Sequence, residues 1–310
     1  MLTARSRSAC LLAAGPLGLA LLATTMLLGC APPIPERARY RGGDAPVSRA
    51  ADAGMVLIPA GSFIVGSTPA EREQAYRDYR ASAGHDGARR AKWFDREEEP
   101  HRASLPAFRI DRTLVTNAAY AEFVRDTGAA LPAIDEARWR EQGFIQDFHE
   151  HVTRHIWRRP APPEGRADHP VVLVTWDEAA AYCTWRGQVA GAPRRLPTAH
   201  EYEKAARGPD GAVYPWGPDF DPARLNSHVA GPDDTTPVEQ FPNGVSPYGM
   251  YDAAGNTFQW TETPWPRGGR MTVKGSAWDD YAGLGRGAAQ HGRRPWVRHV
   301  LIGFRCAGPE

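Results

Sequence analysis

Tyr248-Gly-Met-Tyr-Asp-Ala-Ala-Gly-Asn-Thr-Phe-Gln-Trp260 is followed by Lys274-Gly-Ser276 and then by Ile302-Gly-Phe-Arg-Cys306. In the first stretch Asp252 and Asn256 are turn formers, because their short side chains bond the nearby backbone. Between the second and third stretches, from Ser276 to Arg305, there is no cysteine. That interval begins Ser276-Ala-Trp-Asp-Asp-Tyr-Ala-Gly-Leu284, with adjacent carboxylates at Asp279 and Asp280. Neighbouring side chains of an extended segment point to opposite faces, so the spacing predicts two diverging carboxylates on a solvated loop.

The order of these three signatures resembles the formylglycine-generating enzyme family, the sulfatase-modifying factors. The resemblance runs from about Met55 to Ala307. It implies an α+β fold, the formylglycine-generating-enzyme fold, with a C-type-lectin-like core and little regular secondary structure. Family members that oxidise a sulfatase cysteine carry one cysteine a few residues after the Gly-Ser element and a second five residues later. Two thiolates suit Cu(I), a soft ion that takes soft ligands, and carboxylates do not replace them. The resemblance therefore implies the scaffold of an oxidoreductase without its copper-holding pair.

The N-terminus has Arg5 and Arg7, an apolar run from Leu11 to Leu28, then Gly29-Cys30. A basic region followed by a short apolar stretch ending at small residues is a secretory signal, expected over residues 1–29. Leu27-Leu-Gly-Cys30 looks like a bacterial lipobox, with Cys30 lipidated and the protein held on the outer membrane, facing the periplasm or the surface. A membrane-spanning anchor is the other reading of the same stretch, although Gly15, Pro16 and Gly18 interrupt it. Residues 30–53 are rich in Pro, Ala, Arg and Gly and cannot bury a core, so they read as a flexible linker. The folded domain is expected over residues 54–308.

Of the four cysteines, Cys10 leaves with the signal and Cys30 takes the lipid. Cys183 and Cys306 remain as an even pair in an oxidising compartment, and a disulfide between them is expected. The resemblance implies the same bridge; two buried free thiols are the alternative. Taking Arg5 and Arg7 from the 37 basic residues leaves 35 against 36 acidic ones, so the mature chain lacks the basic field of a nucleic-acid binder.

Met55 to Gly66 reads as two short strands around a Pro/Gly turn, a hairpin-like opening. Residues 67–99 are charged and helix-compatible, and Ala107 to Asp111 is a strand. Thr116 or Asn117 caps a helix that places Tyr120, Phe123 and Val124 on one face. Residues 128–168 match no family element. His169 to Trp176 reads as a strand, Asp177 caps the helix carrying Cys183, and Ala199 to Arg207 is a further helix.

The resemblance implies structural calcium held by hard oxygens, with Asn226 in one site and Asp252 and Gln259 in another. Asn256 lies nearby, and Gln259 stands where the family usually has Glu. From the residues alone, His151 and His155 are spaced i, i+4 and could face one metal ion, with His149 or Glu150 as a third ligand; a polar helical face is the plainer account. The candidate cleft implied by the resemblance contains Ser276, Trp278, Asp279, Asp280, Arg286, Trp296, Arg298 and His299. Aromatic and Arg side chains in a cleft suit a peptide or acidic ligand. The functional expectation is a non-oxidase binding or regulatory envelope lipoprotein that holds a peptide or another envelope protein. The alternative is an oxidative enzyme of the same family with a non-cysteine metal site.

Overall fold

The computed structural model describes residues 54–310. The expected signal sequence, Cys10, the expected lipidation site Cys30 and the expected linker lie outside the described residues.

The domain opens with β1 (Met55–Ile58) and β2 (Gly61–Val65), then α1 (Pro69–Ala83) and the single turn α2 (Gly87–Arg90). Next come β3 (His101–Leu105) and β4 (Phe108–Asp111). The expected hairpin does not form. β1 pairs antiparallel with β4, and β2 pairs with β3 in a separate sheet. The two residues between β1 and β2 are Pro59 and Ala60, neither of which has the positive φ that a tight hairpin turn requires.

α1 is well specified at both ends. Thr68 and Glu71 form a capping box, Pro69 occupies the first turn, and Gly84 closes the helix at φ 74°. Its buried face, Ala75, Tyr76 and Tyr79, packs with Phe94 and Leu284 in a small satellite core.

α3 (Asn117–Thr127) is capped by Thr116 and buries Tyr120, Phe123 and Val124 as expected. α4 (Glu136–Glu141) follows, capped by Asp135. Residues 169–175 form no strand, although 170–174 are buried. Val171 and Leu173 donate instead to the carbonyls of Val115 and His299, and Leu173 sits at φ 61°, which breaks the extended run. α5 (Trp176–Ala190) starts two residues earlier than expected, with Thr175 and Glu178 as its capping box in place of Asp177. α6 (Ala199–Arg207) is capped by Thr198 and Glu201.

β5 (Phe258–Pro264), β6 (Met271–Lys274), β7 (Gln290–Arg293) and β8 (Ile302–Gly303) form a four-stranded sheet in the order β7-β6-β5-β8. β9 (Ala307–Pro309) adds to β4, completing a three-stranded sheet. The main core lies where α3 and α5 meet the four-stranded sheet, around Tyr120, Tyr182, Trp260 and Phe304. Cys183 on α5 is bonded to Cys306 just before β9, with Cα atoms 5.5 Å apart. The expected disulfide and the α+β architecture are both present.

Candidate functional site

The segment after β6 turns sharply. Gly275 has φ 75°, and a Cβ there would lie 2.8 Å from the Tyr202 hydroxyl. The Ser276 hydroxyl accepts the Gly255 N–H at 2.8 Å, so this serine ties two loops together and is buried. Trp278 and Asp279 form a turn, and the Asp280 carboxylate accepts the Ala277 N–H at 2.8 Å. That turn overrides the alternation of an extended chain. The two carboxylates do not diverge into solvent as the sequence predicted; they are partly buried and close enough to interact. Burial pushes the Asp280 carboxyl well above its ordinary range, and the charge of Asp279 adds to this. Burial likewise raises Asp279, against the pull of a 2.7 Å hydrogen bond from the Gln146 amide.

Other loops complete a rim around this turn. The His228 N–H donates to the Asp280 carbonyl at 3.0 Å, and its ring packs edge-on against Tyr281. His228 also lies 3.2 Å from Asp233. Ile145, next to Gln146, is 94% exposed, and Val229, next to His228, is also exposed. The loops that reach the two carboxylates thus also carry exposed apolar side chains.

The rest of the expected cleft is closed. Arg286 is buried, pairs with Glu97 and lies over the Phe94 ring. Leu284 is buried under α1, and a Cβ on Gly283 would lie 2.7 Å from the Ala75 carbonyl. A pair of residues five apart after Ser276, such as 279 and 284, thus has one member on the rim and the other beneath a helix. No cysteine stands in this segment, and both cysteines of the described domain are in the disulfide. Copper held by thiolates does not fit these residues.

Trp278 is buried and stacks on His151, with ring centroids 5.8 Å apart. His299 is buried against Phe144 and Trp139, which pushes its pKa well below the ordinary histidine value. Trp296 and Arg298 belong to a different face. Gln142 clasps the Arg298 backbone at both its N–H and its C=O, while Gln146 reaches Asp279, so residues 142–146 stand between the two faces. Beyond them, Trp296 and Arg298 share a groove of about 760 Å³ with α4.

The two histidines expected to share a metal have different partners. The backbone there is a π turn over Phe148–Val152 followed by a 3-10 turn over Thr153–His155, which removes the regular i, i+4 face. His151 stacks on Trp278, whereas buried His155 pairs with Asp234 at 3.2 Å. Among the described residues no group of three His, Cys, Asp or Glu side chains is placed to hold a metal ion. Arg154 and Arg166 also bind Asp234. Burial pushes that carboxyl upward, but the hydrogen bonds from His155 and Arg166 prevail and hold it far below its ordinary range.

The calcium expectation meets the same difficulty. The Gln259 oxygen accepts from Arg305 at 2.6 Å, and the Gln259 amide donates to Tyr202 and to the Asp252 carbonyl. Asn256 accepts the Thr236 N–H and donates to its carbonyl. A buried guanidinium beside Gln259 opposes a second cation there. Asp252 keeps one oxygen without a partner, and burial lifts its carboxyl to about 7. The Asn226 oxygen is also buried without a partner, so it alone of the first set is free to accept a cation.

An α+β domain with this loop order, a helix-to-C-terminus disulfide and a partly buried turn in place of reactive thiols defines a class: a sulfatase-modifying-factor scaffold without the thiol chemistry. The chain belongs to the sulfatase-modifying factor enzyme 1-like family, whose domain matches residues 44–309. It is 32% identical to the inactive C-alpha-formylglycine-generating enzyme 2 of Mus musculus, across 84% of this chain and 87% of that protein. It is also 32% identical to the formylglycine-generating enzyme of Thermomonospora curvata, across 82% of this chain and 93% of the relative. Among solved structures, PvdO from Pseudomonas aeruginosa shares the fold, with a TM-score of 0.61 at 21% identity over 83% of this chain and 94% of that one.

Gln146, His228 and Tyr281 of the rim, and Gln142 and Arg138 of the groove, were not singled out by sequence reading. The glutamines and Arg138 lie in the stretch 128–168, which carries no motif; His228 is one histidine among ten.

Proposed function

We propose that this chain is a non-oxidase binding module of the bacterial envelope that holds a peptide or another envelope protein against the rim around Asp279 and Asp280. One observation carries the reading: the segment after Ser276 presents a turn with two carboxylates, Asp279 and Asp280, and its far end lies under α1. The chemistry available there is recognition. A Lys or Arg side chain would pair with Asp279 and Asp280 and draw the raised carboxyls into their charged form, with exposed Ile145 and Val229 on the same loops and His228 and Tyr281 as an aromatic wall. The existence of an inactive relative supports a role without oxidation. We further propose lipidation at Cys30 and attachment to the outer membrane, on the strength of the N-terminal sequence.

The test is to incubate the full chain with Cu(I), oxygen, a reductant and a Cys-x-Pro-x-Arg peptide, following peptide mass and peptide binding separately. Unchanged peptide mass is expected, with any binding weakened about tenfold by Asp279→Asn with Asp280→Asn. Conversion of the peptide cysteine to an aldehyde would overturn the reading.

A further inference from the structure

The groove beside α4 does not take part in the rim, and its construction calls for a different ligand. Trp296 is 54% exposed, which for so large an aromatic is costly unless something covers it. Its exposure is fixed by its neighbours. The Pro295 carbonyl accepts the Trp176 N–H at 2.9 Å, Val297 is buried, and the Val297 N–H bonds the Arg294 carbonyl. The loop is thus pinned on both sides of the indole. Arg294 lies over one face of the ring, 5.5 Å from its centroid. Ala133 and Ile134 also line the groove.

The polar lining is balanced in charge. Arg298 pairs with Glu178, and Arg138 lies 3.6 Å from Asp135. That leaves Arg294 and Glu141, one of each sign. No net field favours an anionic or cationic ligand. The lining residues come from α4 and from loops, and no strand edge borders the groove, so an extended peptide has no backbone ladder to join. The Gln142 amide makes two bonds to the Arg298 backbone and keeps an N–H and a lone pair free. Hydrogen-bonding groups of both kinds, balanced in charge around an exposed indole in an open groove, match a sugar ring. Its hydroxyls donate and accept in pairs, and its C–H face stacks on an aromatic surface.

We propose that the groove lined by Trp296, Gln142 and Arg138 is a binding site for a neutral oligosaccharide. It goes beyond the rim reading and does not depend on it. The test is calorimetric titration of the full chain with chitotetraose, cellotetraose and mannotetraose, and with the peptide acetyl-Ala-Phe-Ala-amide. At least one tetrasaccharide is expected to bind with a Kd of about 1 mM or tighter. Trp296→Ala should weaken it about tenfold or more, Trp296→Phe should restore part of the loss, and Val189→Ala on another face should leave it unchanged. Trp296 is exposed, and unaltered far-UV circular dichroism and thermal unfolding of each variant would separate loss of binding from loss of fold. The proposal is overturned if no tetrasaccharide binds, if binding is equal in Trp296→Ala, or if only the peptide binds.

Discussion

Replacing Cys183 and Cys306 by alanine should cost this protein a large share of its stability. The bridge links residues 123 apart, and the logarithmic dependence of loop-closure entropy on loop length gives about 5 kcal/mol at room temperature. For a domain of this size, about 5 kcal/mol corresponds to a fall in Tm of roughly 10–20 °C. Both sulfurs belong to fully buried residues, so the double variant also loses packing. Reducing the wild-type chain in place keeps that packing and isolates the cross-link. The assay is urea unfolding of oxidised and reduced wild type alongside the double variant, with thiol titration to verify each state. The reduced protein should unfold at clearly lower urea, with the alanine variant lower still. If oxidised and reduced forms differ by less than about 1 kcal/mol, restriction of the unfolded chain is not what the bridge supplies.

Asp252→Asn should make the protein more stable at pH 8 than the wild type, with little difference near pH 4. The folded-state carboxyl near 7 lies above its unfolded value, so stability falls as pH rises toward 7 and the cost is full above it, by up to about 4 kcal/mol. Arg305 and Asn256 favour the charged form and Glu239 opposes it; an unchanged pH slope in thermal melts of the variant would contradict this account. Asp234→Ala should cost about 3 kcal/mol, because it leaves Arg166 and His155 buried without their common partner, and should speed proteolysis within residues 128–168. The wild-type contribution has the opposite pH sign, being present at neutral pH and lost in acid, since that carboxyl is depressed. The wild-type Tm should be insensitive to calcium or EGTA, because the Arg305 guanidinium already holds the Gln259 oxygen; a chelator-induced drop in Tm would restore the calcium expectation.

The fold was readable because turn and cap chemistry is local. Thr116 and Gly-Asn256 announce their roles within a few residues of sequence, and Cys183 and Cys306 were left as an even pair whose other reading was two free thiols. The readings that failed depended on contacts far along the chain. β1 and β2 look like a hairpin until β4 and β3 compete for them. Val171–Val174 has strand composition, yet its hydrogen bonds go to Val115 and His299. At the site, Asp279 and Asp280 were visible as residue types, but their convergence depends on the bond from Asp280 to Ala277 and on Gln146, 133 residues away. Arg286 and Arg298 looked available from sequence, and each has a carboxylate partner more than a hundred residues away.

The helix that covers Leu284 bears on what it would take to install an accessible thiol pair in this segment. Two point changes at positions 279 and 284 would supply sulfur atoms, but the second would sit beneath Ala75 and Tyr76, out of reach of oxygen and substrate. The Arg286–Glu97 pair holds that cover in place from its other end. Exposing both sulfurs would therefore demand removal of the segment from about residue 69 to 97 as well as substitution. Because residues 67 and 98 are joined by a backbone hydrogen bond, the cut could be closed without disturbing β2 and β3.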